Sequence, residues 1–303
     1  MPLVGALEAG GTKCVCAIGR GPADLQAITR IATTTPDETL AAVNAYFTGQ
    51  MAGGTAIEAV GIACFGPVDL SPGSNHWGHV TATPKAGWQN IDVAGPIARA
   101  TVLPVAFDTD VNGAALAEAR WGAGQGADPV IYVTVGTGIG GGAVVNGRPV
   151  HGLVHPEMGH IRVQRHRDDA FPGRCPWHGD CLEGLACGPA LIDRWGDDVA
   201  DLPPDHPAWA MQADYLGQLC ATLILICSPQ RLILGGGVMA QTHLYDAVRS
   251  RTRELLAGYV AHPLAADRIA QLIVAPGLGE RAGLLGALAL AQDRLAAGDE
   301  ANA

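Results

Sequence analysis

Two kinds of apolar segment alternate along the chain. Short runs rich in Val, Ile and Cys are typical of buried strands, and longer stretches with helical spacing are typical of helices. The predicted strands are Leu3–Glu8, Cys14–Ile18, Ala59–Gly66, Val105–Asp108 and three further runs that begin at Val130, Arg231 and Leu272. The predicted helices are Thr39–Gly49, Gly113–Trp121, Pro207–Cys227, Tyr245–Tyr259 and Arg281–Ala296. Strands followed by helices throughout predict an α/β protein.

The apolar pattern also contains an internal repeat. LVGALEAGGTKCVCAIGRGP, which starts at Leu3, and VIYVTVGTGIGGGAVVNGRP, which starts at Val130, share one plan. Each reads as a strand, a glycine turn with Thr, a second strand and a tight Gly-Arg turn. Because the copies lie too far apart for a solenoid, they favour a duplicated domain.

The second copy contains a G-x-G-x-x-G motif at Gly136, Gly138 and Gly141. A dinucleotide-binding turn requires a helix directly after the glycines, because the pyrophosphate lies at the helix N-terminus. Here a β-type run with Asn146-Gly147 follows, which predicts a hairpin and excludes that motif. The chain also lacks the glycine-rich lysine motif of P-loop enzymes. No P-loop site is therefore expected.

Glycine turns without bulky side chains let backbone N–H groups approach an anion, and Thr12 or Thr137 can add a hydroxyl donor. A third glycine run, Gly235–Gly237, lies between a predicted strand and helix. The alternative is that the glycines only form tight turns. Three such runs favour a site that binds a polyphosphate.

The composition argues against several classes of protein. The net charge of −10 and pI near 5.4 argue against a nonspecific nucleic-acid binder. The start, MPLVGALEAGG, lacks a basic segment followed by an apolar run, so we expect no secretory signal. The apolar stretch CATLILICSP is too short for a membrane span, and we therefore expect a cytoplasmic protein without a membrane partner. Lysine occurs only at Lys13 and Lys85 against seventeen arginines, a bias that we attribute to genome composition.

Asp110 is the first candidate for chemistry. It stands in DTDVNGAALAE, where a predicted strand ends and a helix begins. Asp108, Asp110 and Asn112 each suit the N-cap of that helix. Alternatively, Asp110 is a base directed at a substrate hydroxyl, as phosphoryl transfer requires.

A second candidate is a compact set of metal ligands. Cys175, His178 and Cys181 follow one another at three-residue spacing in CPWHGDCLEG, and this donor set suits tetrahedral zinc. His160, from HPEMGHI, is the preferred fourth ligand and His155 the second choice. The alternatives are unrelated residues in a loop or a Cys175–Cys181 disulfide, which a cytoplasmic setting disfavours. We expect a structural zinc that fixes the loop carrying two carboxylates, Glu157 and Glu183.

These motifs resemble the ROK family of sugar kinases and, within it, the bacterial zinc-containing fructokinases. The resemblance runs from EAGGTK to the C-terminal helix and rests on E-x-G-H, the Cys/His cluster and C-x-E-G. Glu8 and the TPKAGW loop at Thr83–Trp88 are similar to the fructokinase branch. At Thr109 the chain departs from relatives that carry an Asn there, and with it from the sugar contact that this Asn supplies.

The resemblance implies a duplicated actin/hexokinase-like (ribonuclease H-like) fold with ATP bound between two domains. We place the N-terminal domain at residues 1–109 plus a C-terminal helix at about 287–303, and the C-terminal domain at 110–286. The implied reaction is transfer of phosphate from ATP to a free hexose, most of all D-fructose. Glucokinase, mannokinase and N-acetylhexosamine kinase activities, or a sugar sensor without turnover, remain alternatives. The implied partners are sugar, ATP and a second copy of the chain, without nucleic acid.

The resemblance also assigns roles to individual residues. Asp110 is the catalytic base and a sugar contact, Glu8 acts on Mg²⁺ through water, and His160 contacts both sugar and zinc. Glu157 and Glu183 hold sugar hydroxyls. The residues implied to bind the nucleotide are Gly10, Gly11, Thr12, Lys13, Thr137, Gly138, Gly235, Gly236 and Gly237.

Overall fold

The computed structural model describes residues 1–300, with side chains to residue 298. The strands are, in chain order, β1 (Val4–Ala9), β2 (Lys13–Gly21), β3 (Asp24–Ala32), β4 (Val60–Cys64), β5 (His79–Val80), β6 (Ile91–Asp92), β7 (Val105–Thr109), β8 (Val130–Val135), β9 (Ile139–Val145), β10 (Arg148–Pro149), β11 (Arg231–Gly235) and β12 (Ile273–Val274). The helices are α1 (Pro36–Ala52), α2 (Ala94–Thr101), α3 (Asp110–Trp121), α4 (Leu182–Ala186), α5 (Gly188–Trp195), α6 (Pro207–Cys227), α7 (Leu244–Leu256), α8 (Ile269–Leu272) and α9 (Ala282–Glu300).

The chain divides into two compact units. The first comprises residues 1–121, 148–155 and the described residues from Leu278 onward, and the second comprises residues 122–147 and 156–277. The predicted boundary at 109/110 assigned α3 to the second domain, whereas α3 belongs to the first unit. The reason is its contact with α9, where Gly113 and Gly286 face each other so closely that a Cβ on Gly286 would lie 2.1 Å from the Gly113 carbonyl carbon. The end of the predicted C-terminal helix, residues 301–303, lies outside the described residues.

The first unit is built on a sheet with strand order β3-β2-β1-β4-β7. β1 pairs antiparallel with β2 and parallel with β4, and β7 continues the parallel part. One face packs against α1 and α2 through buried side chains such as Phe47 and Ile97. The other face packs against α9 through Leu284 and Leu288. The sheet is therefore covered on both faces by helices.

The second unit repeats this plan with the strand order β9-β8-β11-β12. β8 and β9 form an antiparallel hairpin, and β11 pairs parallel with β8 and β12. Asn146 (φ 52°) and Gly147 (φ 72°) both have left-handed backbone, as a two-residue hairpin turn requires. The predicted hairpin and the duplicated strand plan are both confirmed.

The helix α6 is buried along most of its length in the second unit. Its start is fixed by Pro207 at the first position and by the His206 ring, which accepts a hydrogen bond of 3.2 Å from Ala208 N. Over its 21 residues it is long and apolar enough to cross a membrane by length and composition, yet 61% of its apolar window is buried within the protein. The predicted short apolar stretch is thus the end of a long core helix.

Candidate active site

The first glycine turn connects β1 to β2 through Gly10, Gly11 and Thr12. Gly10 N donates to Lys13 O at 3.0 Å. Thr33 fixes the turn from outside, because its Oγ1 donates to Gly10 O at 2.7 Å and its N–H donates to Thr12 O at 3.0 Å. Gly11 and Thr12 are nevertheless exposed. This braced, exposed backbone with a hydroxyl group is suited to binding a phosphate.

Two carboxyl groups with unusual proton affinity lie in the same unit. Burial raises the pKa of Asp110 to about 6, although its Oδ1 accepts a hydrogen bond of 2.9 Å from Val111 N at the start of α3. Burial, reinforced by the nearby charge of Asp110, raises the pKa of Glu8 to about 7. Such shifts are frequent where a carboxyl group accepts protons or meets a cation in function.

The N-cap alternatives for α3 are resolved by the contacts around Asp110. Thr109 Oγ1 accepts the hydrogen bond from Asn112 N at 3.1 Å, so Thr109 caps the helix. Asp108 is buried and accepts from Thr109 N at 2.7 Å, from Asn112 Nδ2 at 2.8 Å and from His151 Nε2 at 2.8 Å. The hydrogen bond to Asp108 raises the pKa of His151. With Asp108 and Thr109 holding the helix start, the Asp110 carboxyl is not required as its cap.

The second glycine turn connects β8 to β9 through Gly136, Thr137 and Gly138. Gly136 N donates to Gly138 O at 2.8 Å, and Thr137 is exposed. Glu183 lies against this turn, and its Oε2 accepts a hydrogen bond of 2.9 Å from Ile139 N. A Cβ on Gly138 would lie 2.6 Å from that oxygen. Glycine at this position therefore makes room for a carboxylate.

The third glycine run ends β11. Gly235 is buried, whereas Gly236 and Gly237 are exposed. Gly236 has φ 89°, and a Cβ there would lie 2.4 Å from the carbonyl oxygen of Val135. The run leads into a 3-10 helix, Gly237–Ala240, and α7 begins only at Leu244.

The structure brings the four predicted zinc ligands together. The ligand atoms of His160, Cys175, His178 and Cys181 all lie within 4.8 Å of one another. His160 Nδ1 is 3.4 Å from Cys181 Sγ and 3.8 Å from Cys175 Sγ, and His178 Nδ1 is 3.6 Å from Cys175 Sγ. α4 follows directly and approaches this loop closely, since a Cβ on Gly184 would lie 2.0 Å from Gly179 O.

The cluster fits a zinc ion by its donors. Two thiols and two imidazoles are ligands that zinc binds in structural sites. Burial raises the pKa of Cys181 to about 11, so a cation is needed to favour its thiolate. Cys175 and Cys181 are free thiols in the structure, without the alternative disulfide. His155 lies elsewhere, and its Nε2 accepts a hydrogen bond of 3.1 Å from Val68 N in the first unit.

The other ring nitrogen of His160 faces two carboxylates. Its Nε2 lies 4.0 Å from Glu157 Oε2 and 3.9 Å from Glu183 Oε1. The His160 and Glu183 side chains are half-buried, whereas Glu157 is exposed. The result is one imidazole edge and two carboxylates converging on a small polar space, an arrangement suited to holding several hydroxyl groups.

Two parts of this arrangement were absent from the sequence analysis. Thr33 braces the first turn from 23 residues away, and His151 reaches Asp108 across 43 residues. No sequence motif predicts either contact, because both depend on how loops fold back onto the sheet.

Comparisons with known proteins place these features in a family. A model described as the ROK family matches residues 4–294. The "Putative fructokinase" of Bacillus subtilis (strain 168) is 44% identical and aligns over 97% of each chain. The "Fructokinase" of Zymomonas mobilis is also 44% identical, over 95% of this chain and 96% of its own.

Solved structures agree on the fold. The ROK hexokinase of Thermus thermophilus has a TM-score of 0.77 and 28% identity, covering 98% of this chain and 100% of its own. A ROK family glucokinase of Streptomyces griseus, solved with glucose and AMPPNP, has a TM-score of 0.75 and 29% identity, covering 96% of this chain and 99% of its own. The predicted duplicated actin/hexokinase-like fold is confirmed.

Proposed function

The chain belongs to the ROK family, and we propose that it is an ATP-dependent hexose kinase that converts D-fructose to D-fructose 6-phosphate. The observation that carries this assignment is the similarity of nearly the whole chain to several proteins named fructokinase. The geometry is consistent with this reaction. The first unit contains a braced glycine turn and the desolvated Asp110. The second unit contains a converging set of side chains suited to bind sugar hydroxyls.

Asp110 is the general base of the proposed reaction. It accepts the proton of the sugar hydroxyl that attacks the γ-phosphorus of ATP. A pKa of about 6 leaves the carboxylate ionised at neutral pH and more basic than an ordinary aspartate. The transition state of phosphoryl transfer is loose, so orientation of the hydroxyl and stabilisation of charge matter more than a strong base.

ATP is held by the glycine turns in this proposal. Gly10, Gly11, Thr12 and Lys13 of the first unit contact its phosphates, and Thr137 and Gly138 of the second unit add further contacts. The run at Gly235–Gly237, in which Gly236 and Gly237 are exposed, lies beside the adenosine. Support comes from the exposure of Gly11, Thr12 and Thr137 and from the fixed backbone around them.

The sugar is held by Glu157, Glu183 and His160 Nε2. A structural zinc bound by His160 Nδ1, Cys175, His178 and Cys181 would fix the ring so that Nε2 faces the two carboxylates. It would add no step to the reaction. The donor set and the mutual distances of its atoms support this role.

Glu8 is proposed to act on Mg²⁺ through water. Its carboxyl group is desolvated and lies near Asp110, so a cation there would favour the ionised form of both groups. When bound, Mg²⁺ neutralises phosphate charge during transfer.

We further propose a cytoplasmic homodimer without nucleic-acid or membrane partners. The net charge of −10 and the mostly buried α6 support the last two points. The dimer rests on the family resemblance, and light scattering at several protein concentrations tests it.

The deciding experiment is ADP release from MgATP with fructose, glucose, mannose, allose and N-acetylmannosamine. We expect the highest kcat/KM for fructose, with fructose 6-phosphate as the product. A higher value for another hexose would keep the chemistry and refute the assigned sugar. Absence of ADP release with every sugar, from folded protein with bound zinc, would refute the kinase.

A further inference from the structure

Both lysines of the chain lie at the first glycine turn. Lys13 follows the turn directly as the first residue of β2. Lys85 belongs to the distant TPKAGW loop, yet its Nζ donates a hydrogen bond of 3.4 Å to the carbonyl oxygen of Thr33. Thr33 is the residue that holds Gly10 and Thr12. The two lysines of a chain with seventeen arginines are therefore neighbours of one turn.

The loop that carries Lys85 is firmly fixed. Trp88 is 1% exposed, and its indole Nε1 donates to Thr34 O at 2.9 Å. Trp88 N also donates to Lys85 O at 3.2 Å, and Lys85 N donates to Thr83 Oγ1 at 3.3 Å. Anchoring on both sides restricts the region that the lysine side chain can reach, so little freedom is lost when its ammonium group binds an anion.

Among the described side chains, none provides an acidic partner for the ammonium group of Lys85. An ammonium has three donors, and among residues 1–298 that of Lys85 makes one hydrogen bond, to the Thr33 carbonyl, and no ion pair. Lys85 is half-buried. A partly desolvated cation without a carboxylate partner is stabilised when an anion binds beside it, and the adjacent turn is suited to phosphate.

The choice of lysine is itself informative in this chain. Seventeen positions carry arginine, so composition alone would favour arginine at residue 85 as well. Lysine presents a compact point charge, whereas arginine presents a broad planar fork. A compact charge fits beside a turn whose backbone approaches the same phosphate.

We infer that Lys85 is a further catalytic residue, which contacts the γ-phosphoryl group of ATP and stabilises its charge during transfer. This inference rests on the proposed kinase function. The sugar oxygen forms a bond to the γ-phosphorus while the bond from that phosphorus to the bridging oxygen breaks. The bridging electron pair leaves with ADP, and the hydroxyl proton goes to Asp110. Lys85 gains and loses no atom, since its role is electrostatic.

Three variants separate the charge of Lys85 from the structure of its loop. Loss of one preorganised donor costs about 10²- to 10³-fold in turnover, so we expect kcat of Lys85→Met to fall by that factor with little change in the KM for fructose. Lys85→Arg should recover part of the loss because it restores the charge. Gln89→Met is the matched control, because Gln89 is exposed and its Nε2 donates to Thr83 O at 3.1 Å in the same loop.

A second measurement requires neither turnover nor a variant, because it uses the wild-type protein. Acetylation of the wild-type amines, followed by mass mapping, reports on Lys85 separately from Lys13. We expect a non-hydrolysable MgATP analogue to protect Lys85 more strongly than MgADP, and fructose alone to leave it reactive. This protection is measurable even if no sugar is phosphorylated, so failure of the kinase assignment is distinguishable from failure of this inference.

Two results would overturn the role of Lys85. One is equal reactivity of Lys85 with and without the MgATP analogue. The other is a loss of kcat in Gln89→Met as large as in folded Lys85→Met, which would show that loop structure, not charge, is responsible. Protection together with a selective loss in Lys85→Met supports it.

Discussion

The two units share a strand plan but differ in what packs against their glycine turns. In the first unit, a Cβ added to Gly11 would meet nothing within 4 Å, and the turn is braced by Thr33 from outside. In the second unit, Gly138 leaves room for Glu183, which bonds to the same turn. The glycine turn is therefore open in the first unit, whereas a carboxylate packs against it in the second unit.

This difference shows how a duplicated scaffold can divide a reaction. The first unit places cationic side chains and the desolvated Asp110 and Glu8 near its turn. The second unit contains the segment from Glu157 to Glu183, in which His160 Nδ1 lies beside the thiols of the Cys/His cluster and Nε2 faces both carboxylates. The open turn of the first unit offers backbone to phosphate alone, whereas the turn of the second unit also holds the Glu183 carboxylate, which suits a polyhydroxyl ligand.

Substitution of the proposed base, Asp110, should have the largest effect on turnover. General-base catalysis contributes about 10²- to 10⁴-fold, so kcat of Asp110→Asn should fall by about 10³-fold while the protein stays folded. Asp92→Asn is the control, since Asp92 also accepts a bond from a helix start, Gly95 N at 2.7 Å, outside the site. Near-normal turnover of Asp110→Asn, measured by ADP release, would refute its role.

Loss of the proposed zinc site should affect the second unit. We expect Cys181→Ser to lose bound zinc and melt at a lower temperature, with a higher KM for fructose because His160 is no longer fixed. Metal analysis of the wild-type protein should give about one zinc per chain, as a single four-ligand site implies. Cys227→Ser, at a half-buried free thiol, is the control. Equal zinc content in wild type and Cys181→Ser would contradict the site.

A methyl group added at each glycine turn tests whether the two turns bind different substrates. Gly138→Ala should displace Glu183 and raise the KM for fructose by about tenfold, the cost of one good polar contact. Gly11→Ala should fold like the wild type, because the added Cβ meets only space, and should raise the KM for ATP instead. Both constants come from initial rates with each substrate varied. A rise in the KM for fructose in Gly11→Ala as large as in Gly138→Ala would contradict a division of roles.

The pH profile reports on Asp110. The base acts only when ionised, so kcat/KM should fall about tenfold per unit as the pH decreases below about 6, the pKa of its carboxyl. An ordinary aspartate would keep activity down to a pH near 4. Activity that is unchanged from pH 7 to pH 5, in protein that remains folded, would contradict the raised pKa.

The smallest expected effect is on stability. The pKa of Glu8 is raised from 4.5 to about 7, so the folded state binds its proton more tightly than the unfolded state does. Stability from this group is complete below pH 4.5 and is lost as the pH rises toward 7. Without ligand, Glu8→Gln should therefore raise Tm by a few degrees at pH 8 and have little effect near pH 4.5. A lower Tm of Glu8→Gln than of the wild type at pH 8 would contradict the raised pKa of Glu8.

The elements predicted well are those with a local signal. α6 has the predicted bounds, because Pro207 starts it and the apolar pattern runs unbroken to Cys227. β3 escaped prediction, since most of its side chains are exposed and do not alternate in burial. α2 was also missed, because it has only eight residues, Ala94–Thr101, and its first turn contains Gly95 and Pro96, which are typical of loops.

The sequence alone determined the features that neighbours along the chain can specify. The three-residue spacing of Cys175, His178 and Cys181 already favoured a cluster, and Asn146-Gly147 specified a turn, because both depend on local backbone geometry. The tertiary structure decided what depends on burial and on contacts across many residues. It raised the pKa of Asp110, turned His160 Nε2 toward Glu157 and Glu183, and brought Lys85 to the first turn. Local spacing limits which groups can meet, but only packing of the whole chain selects which ones lose water and face each other.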